Sequence, residues 1–239
     1  MTTRTLFISD LHLDPGRPAT VRALADFLQT NTDCAQLYIL GDLFEAWIGD
    51  DDDSPLALEV SRLLAAFSRA GPELFLMQGN RDFLLGESFC KLVGGQLIPD
   101  PIVIDLQGEP TLLMHGDSLC TADTGYQAFR KTARDPKWQA ELLAHSLDER
   151  RAFAAELRSR SMEAKSNKAE DIMDVSGDAV AHIMRQHSVK QMIHGHTHRP
   201  DRHDTAIGTR WVLGDWDRQG WFLEASEGDI TLNSFDIFQ

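Results

Sequence analysis

Five short apolar runs in this 239-residue chain end in side chains that can hold a cation or move a proton. Thr5–Ile8 leads into Asp10-Leu11-His12, and Leu37–Leu40 into Gly41-Asp42. Leu74–Met77 leads into Gly79-Asn80-Arg81-Asp82, Thr111–Met114 into His115-Gly116-Asp117, and Gln191–Ile193 into His194-Gly195-His196-Thr197-His198. Taken singly, each is an ordinary strand end, a capping Asp or a turn. Taken together they offer carboxylates, an amide oxygen and imidazoles. This N/O set suits Mn²⁺, Fe or Zn²⁺ and lacks the thiolates of a structural zinc site. Two cations a few ångströms apart share a carboxylate. Asp42 is the natural bridge if its strand lies between the others. His194 precedes the His196/His198 pair on the opposite strand face and reads as a buried, hydrogen-bonded core histidine.

Such a pocket needs strands that run side by side with their carboxyl ends together, as in layered α/β folds. The apolar spacing of Val21, Leu24, Ala25 and Leu28, and of Leu56, Val60, Leu63, Leu64 and Phe67, predicts two helices between the first three strands. Ile102–Leu106 and Thr111–Met114 read as a hairpin across Gln107-Gly108-Glu109-Pro110. From about 121 to 171 glycine almost vanishes and charged residues mix with Phe129, Trp138, Leu142, Leu143, Phe153 and Leu157, which predicts a helical cap inserted in a single domain over 1–239. A helix over Ala179–His187 and strands near Trp211–Leu213, Trp221–Ala225 and Ile230–Asn233 complete the expected α/β order.

Composition narrows the partners. With 23 Lys plus Arg against 37 Asp plus Glu, the formal charge of −14 repels a phosphate backbone and argues against nucleic-acid binding. Three widely spaced cysteines form no C-x-x-C pair, which points to a reducing compartment. The N-terminal run carries no basic segment followed by a secretory apolar core, and no apolar run approaches the ~20 residues that span a bilayer. A cytoplasmic protein is expected. The run Gly49 to Asp53 reads as a solvated acidic loop, with Asp50 or Asp51 available to orient a histidine ligand.

The ordered set D-x-H, G-D, G-N-R-D, H-G-D and G-H-x-H resembles the calcineurin-like metallophosphoesterases. The resemblance implies an α/β fold, a two-sheet β-sandwich flanked by helices, with two divalent metals, here Mn²⁺. It places Asp10, His12, Asp42 and His198 on one metal, and Asp42, Asn80, His115 and His196 on the other. Longer matches run over Ile39 to Asp51, Gly79 to Gly86, Gly125 to Arg130, Ile172 to Val175 and Ile193 to Pro200. They resemble the branch of that family that hydrolyses the pyrophosphate of UDP-2,3-diacylglucosamine in lipid A biosynthesis. The branch implies attack of a metal-activated hydroxide on the α-phosphorus, releasing UMP and 2,3-diacylglucosamine 1-phosphate.

On that reading Asn80, Arg81 and His115 are the catalytic residues. The Asn80 amide can bind metal with its oxygen and a phosphoryl oxygen with its NH₂, and Arg81 offers a planar, permanently charged donor. The branch also implies Asp123, Ser161 and Lys168 at the nucleotide or sugar, together with His196. Lys165 stands where relatives commonly carry Asn and joins the substrate-binding candidates, its longer arm able to keep a polar contact. Trp138, Leu142, Leu143, Phe153 and Leu157 are candidates either for an acyl-chain groove or for a seam between cap helices. A lipid substrate without a spanning helix implies peripheral association with the cytoplasmic face of the inner membrane and no obligate protein partner. The arginines and lysines of the cap make its surface comparatively basic. Two rivals share the motifs: a dimetal phosphoesterase with another substrate, and a non-catalytic scaffold of the same fold.

Overall fold

The computed structural model describes residues 4–166 and 174–238, the side chains of 160–166 lying outside that description. Period-two alternation decides which layer each strand residue enters. In β1 (Thr5–Ile8), Leu6 and Ile8 face a helical layer and Phe7 faces a second sheet. β2 (Gln36–Leu40) repeats this, with Leu37 and Ile39 one way and Tyr38 and Leu40 the other. β3 (Glu73–Met77) sends Leu74 and Leu76 to the helices and Met77 to the facing sheet. Strands apolar on both faces read as continuous hydrophobic runs because both faces are covered.

The helical layer is α1 (Pro18–Thr30), α2 (Pro55–Ala70) and α3 (Glu87–Val93). α2 starts where sequence signals place it: Ser54 Oγ accepts from the Ala57 N–H at 3.2 Å, and Pro55 opens the first turn. It stops at Gly71, whose φ of 135° favours glycine. β4 (Gly95–Ile98) follows, then the hairpin of β5 (Ile102–Leu106) and β6 (Glu109–Leu113). The cap consists of α4 (Thr124–Ala133), α5 (Pro136–Leu143) and α6 (Leu147–Ser166), with no strand among its described residues. After it come α7 (Gly177–Gln186), β7 (Gln191–His194), β8 (Asp201–Asp204), β9 (Thr209–Val212), β10 (Gln219–Ser226) and β11 (Asp229–Asp236).

The strands form a six-stranded sheet ordered β11-β10-β1-β2-β3-β4 and a five-stranded sheet ordered β5-β6-β7-β9-β8. β1, β2, β3 and β4 are parallel, as are β6, β7 and β9. The sandwich core between the sheets joins Phe7, Tyr38, Leu40 and Met77 to Leu113, Ile193 and Trp211. On the outer face of the smaller sheet, Leu112 and Met192 pack against Val180 and Met184 of α7. β4, β8 and α3 were not expected from sequence. β8 reads Asp-Arg-His-Asp and is an edge strand, so its side chains carry no apolar pattern. β4 is likewise an edge, and α3 spans only two turns.

Candidate metal centre and substrate cavity

The tips of β1, β2 and β3 meet those of β6 and β7 at one end of the sandwich. Asp10, His12, Asp42, His196 and His198 all have positive φ, between 49° and 68°. Left-handed backbone is uncommon for residues with a Cβ and persists where the surroundings over-determine it, typically at functional sites. Neighbouring glycines allow this crowding. A Cβ on Gly79 would overlap the Asp42 carboxylate, and one on Gly195 would overlap the Asp10 carboxylate and Ser9.

Donor atoms converge on the space so formed. Asp10, His12 and His198 form one group of ligand atoms within 4.8 Å of one another, and Asp10, Asp42 and His115 form a second. The two oxygens of Asp42 face different imidazoles: Oδ2 lies 3.8 Å from His12 Nε2, and Oδ1 lies 3.7 Å from His115 Nε2. Asn80 Oδ1 sits 2.9 Å from His115 Nε2 and 2.8 Å from His196 Nδ1. His12 Nε2 and His198 Nε2 face each other at 3.1 Å. Asp10 Oδ1 is buried with no hydrogen-bond partner, 3.5 Å from His198 Nε2. An orphaned buried carboxylate oxygen is costly unless a cation satisfies it. The donor set therefore fits divalent cations. Among the described residues the candidate ligands Asp10, His12, Asp42, Asn80, His115, His196 and His198 all lie at this centre. Asp10 approaches both groups, which motif spacing did not indicate.

Surrounding groups hold the ligands. His115 Nδ1 lies 2.9 Å from the Leu40 carbonyl, which directs Nε2 to the centre. His12 Nδ1 is 3.0 Å from Glu45 Oε2, a close contact that is out of line for a full hydrogen bond. His198 Nδ1 lies 3.5 Å from Asp215 Oδ2. Asp82, fully buried, accepts from Gly79 N at 2.7 Å and Leu43 N at 2.8 Å, so one carboxylate ties the loop after β2 to the loop after β3. Asp50 and Asp51, expected to orient a histidine, do not. Asp50 accepts from the Gly86 and Phe89 N–H groups and from the Trp47 indole. Asp51 pairs with Arg150. Glu45 was missed because its carboxylate follows Asp42 by three residues in a loop that has no repeating period.

Electrostatics follow from this crowding. Burial opposes a charged His115, but the carboxylates of Asp42, Asp10 and Asp117 outweigh it and lift its pKa to about 9. Burial and then the neighbouring His115 charge pull His196 down to about 4. Burial would raise Glu45, yet His12, Arg81 and Arg158 bring it to about 2. His194 behaves as a core histidine: burial and then Arg210 lower it to about 3, and its Nδ1 lies 2.9 Å from the Gly195 carbonyl.

Above the centre opens a cavity of about 560 Å³. One end presents His12, Asp42, Asn80, Arg81, Asp123, His196 and His198; the other presents Phe83, Leu84, Phe129, Leu142, Phe153 and Leu157 under the cap. Asp123 also caps α4 by accepting from Tyr126 N at 3.0 Å. Of the proposed groove residues, Leu142, Phe153 and Leu157 line the cavity, whereas Trp138 packs at a tilt against Phe83 and Phe153 in a seam and Leu143 is exposed. Ser161 and Lys165 fall on the last turns of α6, their side chains outside the described residues, as is Lys168 entirely.

The basic cap surface is largely neutralised. Arg130 pairs with Asp117 and Asp100, Arg150 with Asp51, Arg151 with Asp53, and Arg158 with Asp14. Arg134 donates to Gln78 and to the Gln78 and Gly79 carbonyls. The acidic run is thus solvated at Asp51 and Asp53, 62% and 73% exposed, and those same carboxylates also dock α6.

Residues 3–200 match the family model of calcineurin-like phosphoesterases. A protein of Cellvibrio japonicus named UDP-2,3-diacylglucosamine hydrolase is 53% identical, over 98% of this chain and 99% of its own. One of the same name from Pseudomonas savastanoi pv. phaseolicola is 50% identical, over 97% and 96%. Among solved structures, a hypothetical protein of Pyrococcus horikoshii shares the fold at 10% identity with a TM-score of 0.52, over 99% of this chain and 89% of its own. Motifs, sandwich and clustered donors agree with these matches, and the chain belongs to the calcineurin-like phosphoesterase family.

Proposed function

We propose that this chain hydrolyses the pyrophosphate bond of UDP-2,3-diacylglucosamine, yielding UMP and 2,3-diacylglucosamine 1-phosphate in lipid A biosynthesis. The observation that carries the reading is one cavity that joins a donor-lined polar end to an apolar end beneath the cap, a shape suited to a pyrophosphate joined to acyl chains. The relatives' name supports the same substrate.

Asp10, His12, Asp42 and His198 would hold one cation, and Asp42, Asn80, His115 and His196 a second, with Mn²⁺ suited to this N/O set. Divalent cations bound there supply positive charge for the phosphoryl oxygens and lower the pKa of water. The protein's own groups orient the reaction. Asn80 presents its NH₂ toward the cavity while its oxygen faces the imidazoles. Arg81, its backbone N–H bonded to Asp42 Oδ1 at 2.8 Å, places its guanidinium at the cavity wall to take phosphoryl charge. A bond forms from water oxygen to the α-phosphorus as the bond from that phosphorus to the bridging oxygen breaks; the bonding pair leaves on the sugar phosphate and the water's proton passes to solvent. The departing sugar phosphate is a weak base, so no strong proton donor is required. Phe83, Leu142, Phe153 and Leu157 exclude water and receive the acyl chains.

UMP release from UDP-2,3-diacylglucosamine, compared with UDP-glucosamine, tests the proposal. Fast release with the acylated substrate, slow release without acyl chains and loss of both on chelation are expected. Equal rates for the two substrates would reject acyl recognition.

Among the described residues no helix is long and apolar enough to cross a membrane. Substrate delivery places the protein peripherally on the cytoplasmic face of the inner membrane, through apolar rather than basic cap surface.

A further inference from the structure

Glu45 occupies a junction outside the set of candidate metal ligands. It follows the Gly41-Asp42 tip, and its two carboxylate oxygens serve different parts of the molecule. Oε2 lies 3.0 Å from His12 Nδ1, on the side of the ring turned away from the ligand cluster. Oε1 lies 3.7 Å from Arg81 Nη1 and 3.6 Å from Arg158 Nε. Arg158 belongs to α6, and its Nη1 donates to Asp14 Oδ2 at 2.8 Å, so the cap helix is anchored beside the β1 tip. The Glu45 side chain is about one-fifth exposed, where an ion pair keeps part of its strength.

We propose that Glu45 is a positioning residue coupling the metal centre to the cap. Through one oxygen it sets His12 with Nε2 directed at the cation, and through the other it draws Arg81 and the α6 arginine toward the same point. This rests on the metal-centre reading above. A carboxylate behind a ligating imidazole orients the ring and raises its basicity, and losing such a partner typically costs 10–100-fold in metal affinity. Here the same carboxylate also faces a cap arginine. Occupancy of the His12 position should therefore be felt in α6, more than 100 residues away in sequence but adjacent across the cavity.

The experiment measures Mn²⁺ binding and α6 hydrogen exchange, with and without Mn²⁺, in the full chain and in Glu45→Ala, Glu45→Gln and Arg158→Ala. In the unaltered protein two ions should bind and α6 amides should slow on binding. Glu45→Ala should weaken one of the two ions about 10–100-fold and abolish the metal-dependent slowing in α6. Glu45→Gln keeps the shape and a polar oxygen beside His12 but removes the charge, so its metal affinity should fall less than in Glu45→Ala while the slowing is lost. Arg158→Ala should keep both affinities and lose the slowing. Unchanged Mn²⁺ affinity in Glu45→Ala, or metal-dependent slowing equal to that of the unaltered chain in Glu45→Gln, would overturn the proposal. Failure of the unaltered chain to bind Mn²⁺ would instead overturn the metal-centre reading.

Discussion

The Asp42 carboxylate faces His12 with one oxygen and His115 with the other, in a backbone conformation with φ of 52°. Its surroundings are built for it: the loop geometry is held by Asp82, and the Asp42 carboxylate fills the space that a Cβ on residue 79 would need. Asp42→Ala should therefore deplete both cations, whereas His12→Ala should deplete chiefly one. Metal analysis of the purified variants checks this, and normal occupancy in Asp42→Ala would reject the bridging role. The residue types were legible in the chain because five strand ends in order carry the same ligand chemistry, although each alone is ordinary. The orienting groups were not. Leu40 acts through its carbonyl, which no side-chain pattern reveals, and Glu45 and Asp215 sit in loops without a period.

At the scale of elements, α6 is the piece whose surroundings differ most from the sequence-based expectation. Its arginines appeared as a basic face, but they reach back to a strip of acids on the core. Arg150 donates to Asp51 Oδ1 at 2.7 Å and to the Ile48 carbonyl at 2.6 Å while remaining only 4% exposed. Asp51 is 62% exposed, so water screens part of the pair and most of the value lies in the buried hydrogen bonds. Arg150→Ala should weaken cap docking by about 1–3 kcal/mol. Native-state hydrogen exchange would show this as faster α6 amides with β1–β3 unchanged; unaltered α6 protection would contradict it. The strands β1, β2 and β3 were readable to within a residue because burial on both faces leaves an uninterrupted apolar run. The edge strands β4 and β8 were not, because their four residues, Gly-Gln-Leu-Ile and Asp-Arg-His-Asp, carry too little apolar pattern, unlike the edge strands β5 and β11.

For the whole molecule, a charge of −14 and paired cap arginines leave little for electrostatic attraction to an anionic bilayer. Leu143 on the cap remains 41% exposed, an apolar contact of the kind that a membrane surface accepts. Sedimentation with vesicles of anionic phospholipid should carry part of the protein down, and the bound fraction should survive raised salt. Protein left wholly in the supernatant, with or without substrate, would reject peripheral association. Binding that disappears with salt would assign it to charge instead.

The chain by itself determined the donor chemistry, the layered α/β class and the helical character of the cap, since each is written in local residue type and period. Side-chain period places Leu6, Ile8, Leu37 and Ile39 on one face and Phe7, Tyr38 and Leu40 on the other without reference to distant residues. Only the tertiary structure decided which oxygen of Asp42 meets which imidazole, that Asp10 keeps an unpaired buried oxygen, and that the acidic run and Glu45 answer to α6. Those relations join residues up to 186 positions apart, such as His12 and His198, and arise from how two sheets close on each other. Spacing along a chain carries no information about such closure; packing does.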